Sequence, residues 1–564
     1  MKNEEFKFLQ LNNGPISITI ILIIHMIEKI IKYFNDKNIF VGLFAAALVI
    51  ITSIPYILGL VLPFPESRFN GILVFPTDHN FYFALMRQAQ QGQWLFHNPF
   101  TPEAHRAIFF NLEWLVLGKF SALTGMPLEL VWHLQRTIAI VAFCFVIYWA
   151  LTQVYKTQLM CKIVFTVIML GGGLAWVRII KPFGSLLPWH LCKDTYAFIH
   201  PFYIMLASSH TLLGLLFSWV SLCLFIEAEK NKKLKYYIAA GICALLVGCI
   251  RPYDMIFIMG SIMLYMWILM LMQRETGSWQ NIKKRMLPVL IPIPVIIYYM
   301  WVFHGNPVFH AWHEQAVTAP FSLITMGFSI GLPMLLLALS IHTIGNFSQK
   351  SLPQILITSS LLACCILIYS NPEIKFSFQL VSLLLIPIVI VATMAQEDFL
   401  VTQYRQKQIV RVLMAIFIMV NSLSMVWIYR TKIQEIMQGL YRTDRNLLVA
   451  YEWLEKHSAS RDVVLPSSVY PIGNQIPRYT HCSVFCGYHY VTVAFREKKA
   501  MLEEFFQKDT SDTYRTDVLK KYSVHYVFVD TNDIKPAMFA PADRVYLKEV
   551  YHNPRAIIYS VLPQ

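Results

Sequence analysis

The residues best suited to chemistry stand in segment 63–130, a long polar and aromatic stretch between two apolar runs of membrane-spanning length. Its centre reads Phe75-Pro76-Thr77-Asp78-His79-Asn80-Phe81-Tyr82, followed by a helical pattern to Gln91 and a stop at Gly92. Asp78 is the candidate general base, because a fixed carboxylate can take a proton from a bound hydroxyl. His79, Asn80 and Tyr82 beside it are candidates to bind a polar substrate. Asp also favours the N-cap of a helix, and a capping carboxylate at a helix N-terminus can still act as a base. Long loops that persist are usually functional.

Other candidates stand at the ends of apolar runs. Asp194, in Cys192-Lys193-Asp194-Thr195-Tyr196, is either a second acid or a charge marking the water boundary. His210 follows Ser208-Ser209 inside an apolar run, where a polar group usually faces a cavity. Arg251-Pro252-Tyr253-Asp254 closes an unusually short run. Arg251 either pairs with Asp254 or holds a phosphate; the second reading is preferred because a guanidinium binds phosphate in a bidentate fork, with Tyr253 and Asp254 beside the ligand. Lys375, next to Glu373, is a candidate of the same kind.

Several signals point nowhere. Gly171-Gly172-Gly173 lacks the Lys-Ser/Thr of a phosphate loop and reads as a place for close helix packing. His304, His310 and His313 lack fixed metal-ligand spacing, so no residue is assigned to a metal. Cys482 and Cys486 form too weak a pattern for a disulfide or zinc, and no nucleophile elbow or dinucleotide fingerprint is present.

The elements that must position these groups are membrane helices. The chain has 564 residues, 56% of them hydrophobic and 14% charged, with a mean hydropathy of +0.51, which excludes a soluble protein. Apolar runs predict about eleven spans: 39–62, 131–154, 163–180, 201–226, 236–250, 255–272, 286–303, 321–344, 355–369, 380–394 and 412–429. Alternate loops are rich in Lys and Arg, as with Lys230, Lys232, Lys233 and Lys235, whereas the loop 305–320 has neither. This alternation puts the N-terminus inside and both the first loop and the C-terminal tail outside. The net charge of +14 lies mostly in the membrane part, since 430–564 holds 18 Lys+Arg against 15 Asp+Glu. It reads as orientation signal, not nucleic-acid binding. Region 1–38 is predicted cytoplasmic with an interfacial helix and no cleavable signal; 39–429 is the membrane domain.

Segment 430–564 reads as a soluble α/β domain. Helical patterns cover 446–456, 496–507 and 512–522; strands are expected at 462–465, 524–529 and 556–561. Gly473-Asn474-Gln475-Ile476-Pro477 and Cys486-Gly487-Tyr488-His489 read as turns. In the first loop, 109–117 is either a helix lying in the membrane interface or an ordinary packed helix.

The Asp-centred first loop, Gly92-Gln93-Trp94 with Asn98-Pro99-Phe100-Thr101-Pro102-Glu103, about eleven spans and the α/β tail together resemble the GT-C superfamily of polytopic glycosyltransferases. More narrowly they are similar to a little-characterised bacterial group, in which Arg251-Pro252-Tyr253-Asp254 stands for a usual His-Pro-Tyr-Asp and Ser209-His210 for a usual Pro-His. The tail motifs Gly473–Pro477, Cys486–His489 and Tyr522-Ser523-Val524-His525-Tyr526-Val527 share the likeness. The resemblance implies an inner-membrane enzyme that moves a sugar from a polyprenyl-phosphate donor to an envelope glycan, lipid or protein acceptor at the outer face. It implies inverting displacement with Asp78 as base. Asp194 is then a second acid that positions the acceptor or holds a divalent cation, Mg or Mn, which many members do not need. The competing readings are a transporter or flippase of lipid-linked saccharide and a catalytically silent glycan-binding membrane protein.

Overall fold

The computed structural model describes residues 37–180, 192–193, 198–272, 279–315, 321–341, 347, 350–369, 377–394, 396–533, 539 and 541–563. The interfacial helix expected in 1–38, and the candidates Asp194 and Lys375, lie outside the described residues.

The helical part begins with α1 (Lys37–Val61). The first loop contributes β1 (Ser67–Phe69), α2 (Pro76–Gln90) and α3 (Leu112–Thr124). There follow α4 (Leu128–Val154), α5 (Gln158–Leu170), α6 (Pro201–Ala207), α7 (Ser209–Asn231), α8 (Leu234–Ile250) and α9 (Pro252–Leu271). Next come α10 (Trp279–Leu290), α11 (Ile293–Gly305), α12 (Pro307–Gln315), α13 (Leu323–Ile330) and α14 (Leu332–Leu339). The helical part closes with α15 (Leu352–Tyr369), α16 (Leu385–Met394), α17 (Glu397–Gln406) and α18 (Gln408–Met437).

Among the described residues seven helices are long and apolar enough to cross a membrane, with Asn281–Gly305 taken as one, or eight if the pair bent by 71° around α16 and α17 is a single span. Several predicted spans are shorter or broken, for local reasons. The run 163–180 stops being α-helical at Leu170, where Gly172 N donates to Asn421 O at 2.7 Å and Ser424 Oγ to Gly173 O at 2.7 Å. A Cβ on Gly172 would lie 3.0 Å from that of Ser424, so the glycines let this backbone meet α18 directly. The run 201–226 is divided where Ser208 caps α7 by accepting from Thr211 N. Gly331, at φ +77°, divides α13 from α14.

Buried polar groups lock the helices together. Glu229 accepts from Arg285 Nε at 2.8 Å, Tyr237 Oη at 2.7 Å and Tyr265 Oη at 3.0 Å, tying α7 to α8, α9 and α10. Arg136 on α4 donates to Thr52 Oγ1 at 3.0 Å and Met205 O at 3.2 Å. Each charge thereby keeps its hydrogen-bond partners away from water.

The C-terminal module comprises β2 (Arg442–Asp444), α19 (Arg445–His457), β3 (Val463–Pro466), α20 (Asn474–Tyr479), β4 (Ser483–Val484), α21 (Phe495–Phe505), α22 (Asp512–Lys521), β5 (Val524–Asp530), β6 (Leu547–His552) and β7 (Ala556–Val561). Its five-stranded sheet runs β4-β3-β5-β7-β6; the first three strands are mutually parallel and β7 is antiparallel to both neighbours. β2 pairs antiparallel with β1, Arg68 opposite Thr443, so the module is stitched to the first loop. The expected turn at Gly473–Pro477 is instead the start of α20, which tolerates Pro477 because the first four N–H groups of a helix have no intrahelical acceptor.

An apolar core fills the helical part. A second joins Phe81, Trp114 and Trp132 to Tyr299 of α11 and to Tyr451, Ile476 and Phe528 of the module. α3 packs into this core through Trp114 and Leu117, whereas Val116 and Leu123 are exposed.

Candidate functional site

Helix α2 starts at Pro76, preceded by Phe75 in the left-handed region at φ 48°. Asp78 is therefore not the N-cap but sits in the first helical turn, and its carboxylate turns towards the module. Tyr488 Oη donates to Asp78 Oδ1 at 2.5 Å. Burial pushes the Asp78 carboxyl above the ordinary carboxylate range, against the opposing effect of the hydrogen bonds from Tyr488 and Thr77.

A cavity of about 500 Å³ opens beside this carboxylate. Asp78 and Tyr82 line it from α2, Asn111 and Trp114 from the start of α3, His210 from α7, Tyr253 from α9 and Tyr488 from the module. Its rim includes Ile256 and Met300, 39% and 58% exposed on α9 and α11, so one side opens between apolar helix faces. The module contributes the polar and aromatic His489 and Tyr490 to its lining. Asp78 is the single carboxylate, and no Lys or Arg appears, among the described lining residues.

Four sequence candidates thus share one cavity: Asp78, Tyr82, His210 and Tyr253. The other described candidates do not line it. Asn80 donates to Asn474 Oδ1 at 2.7 Å and accepts from Arg478 at 2.9 Å, which makes it part of the join to the module. His79 packs edge-on to Trp132 with its Nδ1 3.0 Å from Phe75 O, and burial lowers its pKa to about 4. Arg251 is 1% exposed; its Nε lies 2.9 Å from Asp254 Oδ2, and it donates to Thr211 Oγ1 at 2.6 Å. Of the two sequence alternatives for Arg251, the structure contains the internal pair.

Two groups, Glu113 behind His210 and Tyr488 in the cavity wall, were not among the sequence candidates. Glu113, buried on α3, meets His210 Nδ1 through Oε2 and accepts from Gln135 Nε2 at 2.5 Å through Oε1. An acid in an otherwise apolar helix was the available signal. Tyr488 stood inside the Cys486–His489 segment, read as a turn and as part of the family likeness, and its role arises only when the module docks.

That docking uses the segments that carried the family resemblance. Val484 N donates to Pro99 O at 2.9 Å, Thr492 Oγ1 to Phe100 O at 2.7 Å and Asn98 Nδ2 to Val491 O at 2.7 Å. Arg478, completely enclosed, reaches Glu129 at 2.7 Å, and Lys498 pairs with Glu103. The structures with which this arrangement superposes are membrane glycosyltransferases. The Archaeoglobus fulgidus oligosaccharyltransferase tethered to an acceptor peptide matches with a TM-score of 0.52 at 12% identity, over 88% of this chain and 70% of that one. The chain has the GT-C fold.

Two further GT-C structures match. The arabinofuranosyltransferase AftD from Mycobacteria gives a TM-score of 0.54 at 13% identity, over 93% of this chain and 40% of AftD, so this chain spans less than half of that protein. ArnT from Cupriavidus metallidurans, bound to undecaprenyl phosphate, gives 0.50 at 10% identity over 92% of this chain and 99% of ArnT. No protein-family model and no curated protein sequence matches the chain.

The described residues of this GT-C fold hold no cluster of metal ligands, and Asp194, the acid expected to share one, lies outside them. No three His, Cys, Asp or Glu side chains converge on a metal-sized position, and Oδ1 of Asp78 is engaged by a hydroxyl donor. A structure of the A. fulgidus enzyme holds zinc and sulfate.

Proposed function

We propose that the protein is a membrane glycosyltransferase that moves a sugar from a polyprenyl-phosphate donor to an envelope glycan, lipid or protein acceptor. The observation that carries this is the placement of Asp78: one carboxylate, made more basic by burial, in a cavity lined both by exposed apolar side chains of α9 and α11 and by polar residues of the C-terminal module. A lipid-linked donor enters from the apolar side, as its chain stays in the membrane while its head group meets polar side chains. The solved relatives are in keeping with this, since one holds dolichol-phosphate with an inhibitory peptide and another undecaprenyl phosphate.

In this reading Asp78 accepts the proton of an acceptor hydroxyl as that oxygen attacks the anomeric carbon. The carbon–oxygen bond to phosphate breaks, its electron pair leaves with the polyprenyl phosphate, and the anomeric configuration inverts. Tyr488 orients the carboxylate through Oδ1 and leaves Oδ2 for the proton. Asp194 is retained as the proposed second acid and Lys375 as a further phosphate contact. The positive-inside pattern supports eleven crossings, a cytoplasmic N-terminus, and reaction on the outer face of a bacterial inner membrane.

The test is incubation of the lipid-reconstituted protein with a panel of polyprenyl-phosphate sugars. Release of polyprenyl phosphate with a product of inverted configuration is expected. Donors that bind and are carried across the bilayer without being consumed would favour the flippase reading instead.

A further inference from the structure

The buried Glu113–His210 pair has no part in the proton transfer just described. Glu113 is 3% and His210 6% exposed, yet His210 lines the cavity and Glu113 lies behind it. The two ring nitrogens of imidazole sit on opposite sides of the ring. With Nδ1 held by Glu113, the Nε2 side is the one left for the cavity. A proton on Nδ1 alone would leave Nε2 an acceptor; an anionic ligand at Nε2 selects the ring with a proton on both nitrogens, whose charge Glu113 balances. Such a pair is neutral overall, so it can be buried at modest cost while presenting its positive end.

The surroundings of the ring favour that polarity. Tyr82 and Trp114 lie with ring centroids 5.1 and 5.5 Å from His210, the latter stacked, and aromatic faces attract a cationic partner. The titratable groups facing it are Asp78, His79 and Tyr82 from α2, Glu113 from α3, and Arg251 and Asp254 from α9, with the neutral Gln135 on α4 behind Glu113. Arg251 and Asp254 offset each other. Among the described lining residues, which include no Lys or Arg, the histidines are the side chains able to present positive charge to an anionic ligand. Of these, His210 has a buried carboxylate on its far nitrogen.

We propose that Glu113 and His210 form a phosphate-binding dyad: His210 Nε2–H donates to a phosphoryl oxygen of the lipid-linked ligand, and Glu113 is the positioning residue that fixes the ring. The ligand class rests on the glycosyltransferase reading; the dyad's geometry does not. During transfer the hydrogen bond strengthens as negative charge gathers on the departing phosphate, and the proton stays on Nε2.

The experiment measures binding of undecaprenyl phosphate and of undecaprenol to the full-length protein in nanodiscs, for wild type, His210→Gln and Glu113→Gln. Wild type is expected to prefer the phosphate by about tenfold or more, the effect of one charge-assisted hydrogen bond. Both variants are expected to bind the two lipids within about twofold of each other. Undecaprenol affinity reports whether each variant is intact, and if Glu113→Gln does not fold, His210→Gln decides. A wild type without phosphate preference, or a preference unchanged in intact His210→Gln, overturns the dyad. Efficient displacement of the lipid by inorganic phosphate would make the site one for free phosphate and overturn the lipid-linked assignment. If the preference behaves as expected but no donor is ever consumed, the dyad stands and the glycosyltransferase reading falls.

Discussion

Tyr488 of the C-terminal module donates a hydrogen bond to Asp78 Oδ1 at 2.5 Å, across 410 positions of sequence. The proposed base is therefore not completed by the loop that carries it. Its orientation and its basicity depend on a docked module, and this relationship leads directly to a pH experiment.

Removing the Tyr488 hydroxyl removes a hydrogen bond that lowers the Asp78 pKa, so Tyr488→Phe raises it further. In wild type the acidic limb of the pH–rate profile should lie above the ordinary carboxylate range. In Tyr488→Phe it should move to higher pH, with kcat/KM at the plateau reduced by about tenfold, as expected for a charge-assisted hydrogen bond. A limb that stays in place would detach Tyr488 from the base.

The same burial predicts a stability effect with a definite sign. Because the folded pKa of Asp78 is raised above its unfolded value, the carboxyl's contribution to stability is present below the unfolded pKa and is lost as pH rises through the folded pKa. Asp78→Asn removes this loss while keeping an oxygen for Tyr488. At pH 7.5 its Tm should equal or exceed that of wild type, measured by thermal unfolding in detergent. A clear drop in Tm would contradict the assignment.

Two of the ion pairs that join module and loop should differ in weight. Arg478 is enclosed among Glu129, Asn80 and Asn70 O, whereas both partners of the Arg87–Glu455 pair remain partly in water. Arg478→Ala should cost about 3 kcal/mol and expose the module to limited proteolysis, while Arg87→Ala should cost under about 1 kcal/mol. Equal protease sensitivity of the two variants would contradict this ranking.

Arg251 separates a structural from a ligand-binding role. Arg251→Ala leaves Asp254 buried without its partner and should lower Tm markedly; the double replacement Arg251→Leu with Asp254→Leu should recover most of that loss. Loss of undecaprenyl phosphate binding by Arg251→Ala at unchanged Tm would restore the phosphate role preferred from the sequence.

These residues also show what can be read from sequence. Asp78 stood out because a polar loop between apolar runs leaves few carboxylates to choose from. The module's strand at Ala556–Val561 and helix at Arg445–His457 followed from periodicity, because each has one face in a core. β6 escaped because its edge position leaves Lys548 and Glu549 in water and weakens the pattern. Spans interrupted at Gly171–Gly173, Ser208 and Gly331 read as continuous, since hydropathy averages over a window and does not register a local break. Arg251 suggested phosphate because a guanidinium suits one, and its contact with Asp254 is visible only in the packing. Glu113 and Tyr488 take their roles from contacts between distant elements, which a lone acid in an apolar helix and the Cys486–His489 segment do not by themselves specify.

The most direct test of the central claim is donor turnover by the reconstituted protein, wild type against Asp78→Asn, with polyprenyl-phosphate binding measured on the same samples. The account predicts that wild type consumes a donor from the panel and that Asp78→Asn binds it while turning over about 10³-fold more slowly, the range expected for loss of a general base. Asp78→Asn turning over at the wild-type rate, or a wild type that binds these donors and consumes none of them, would contradict it.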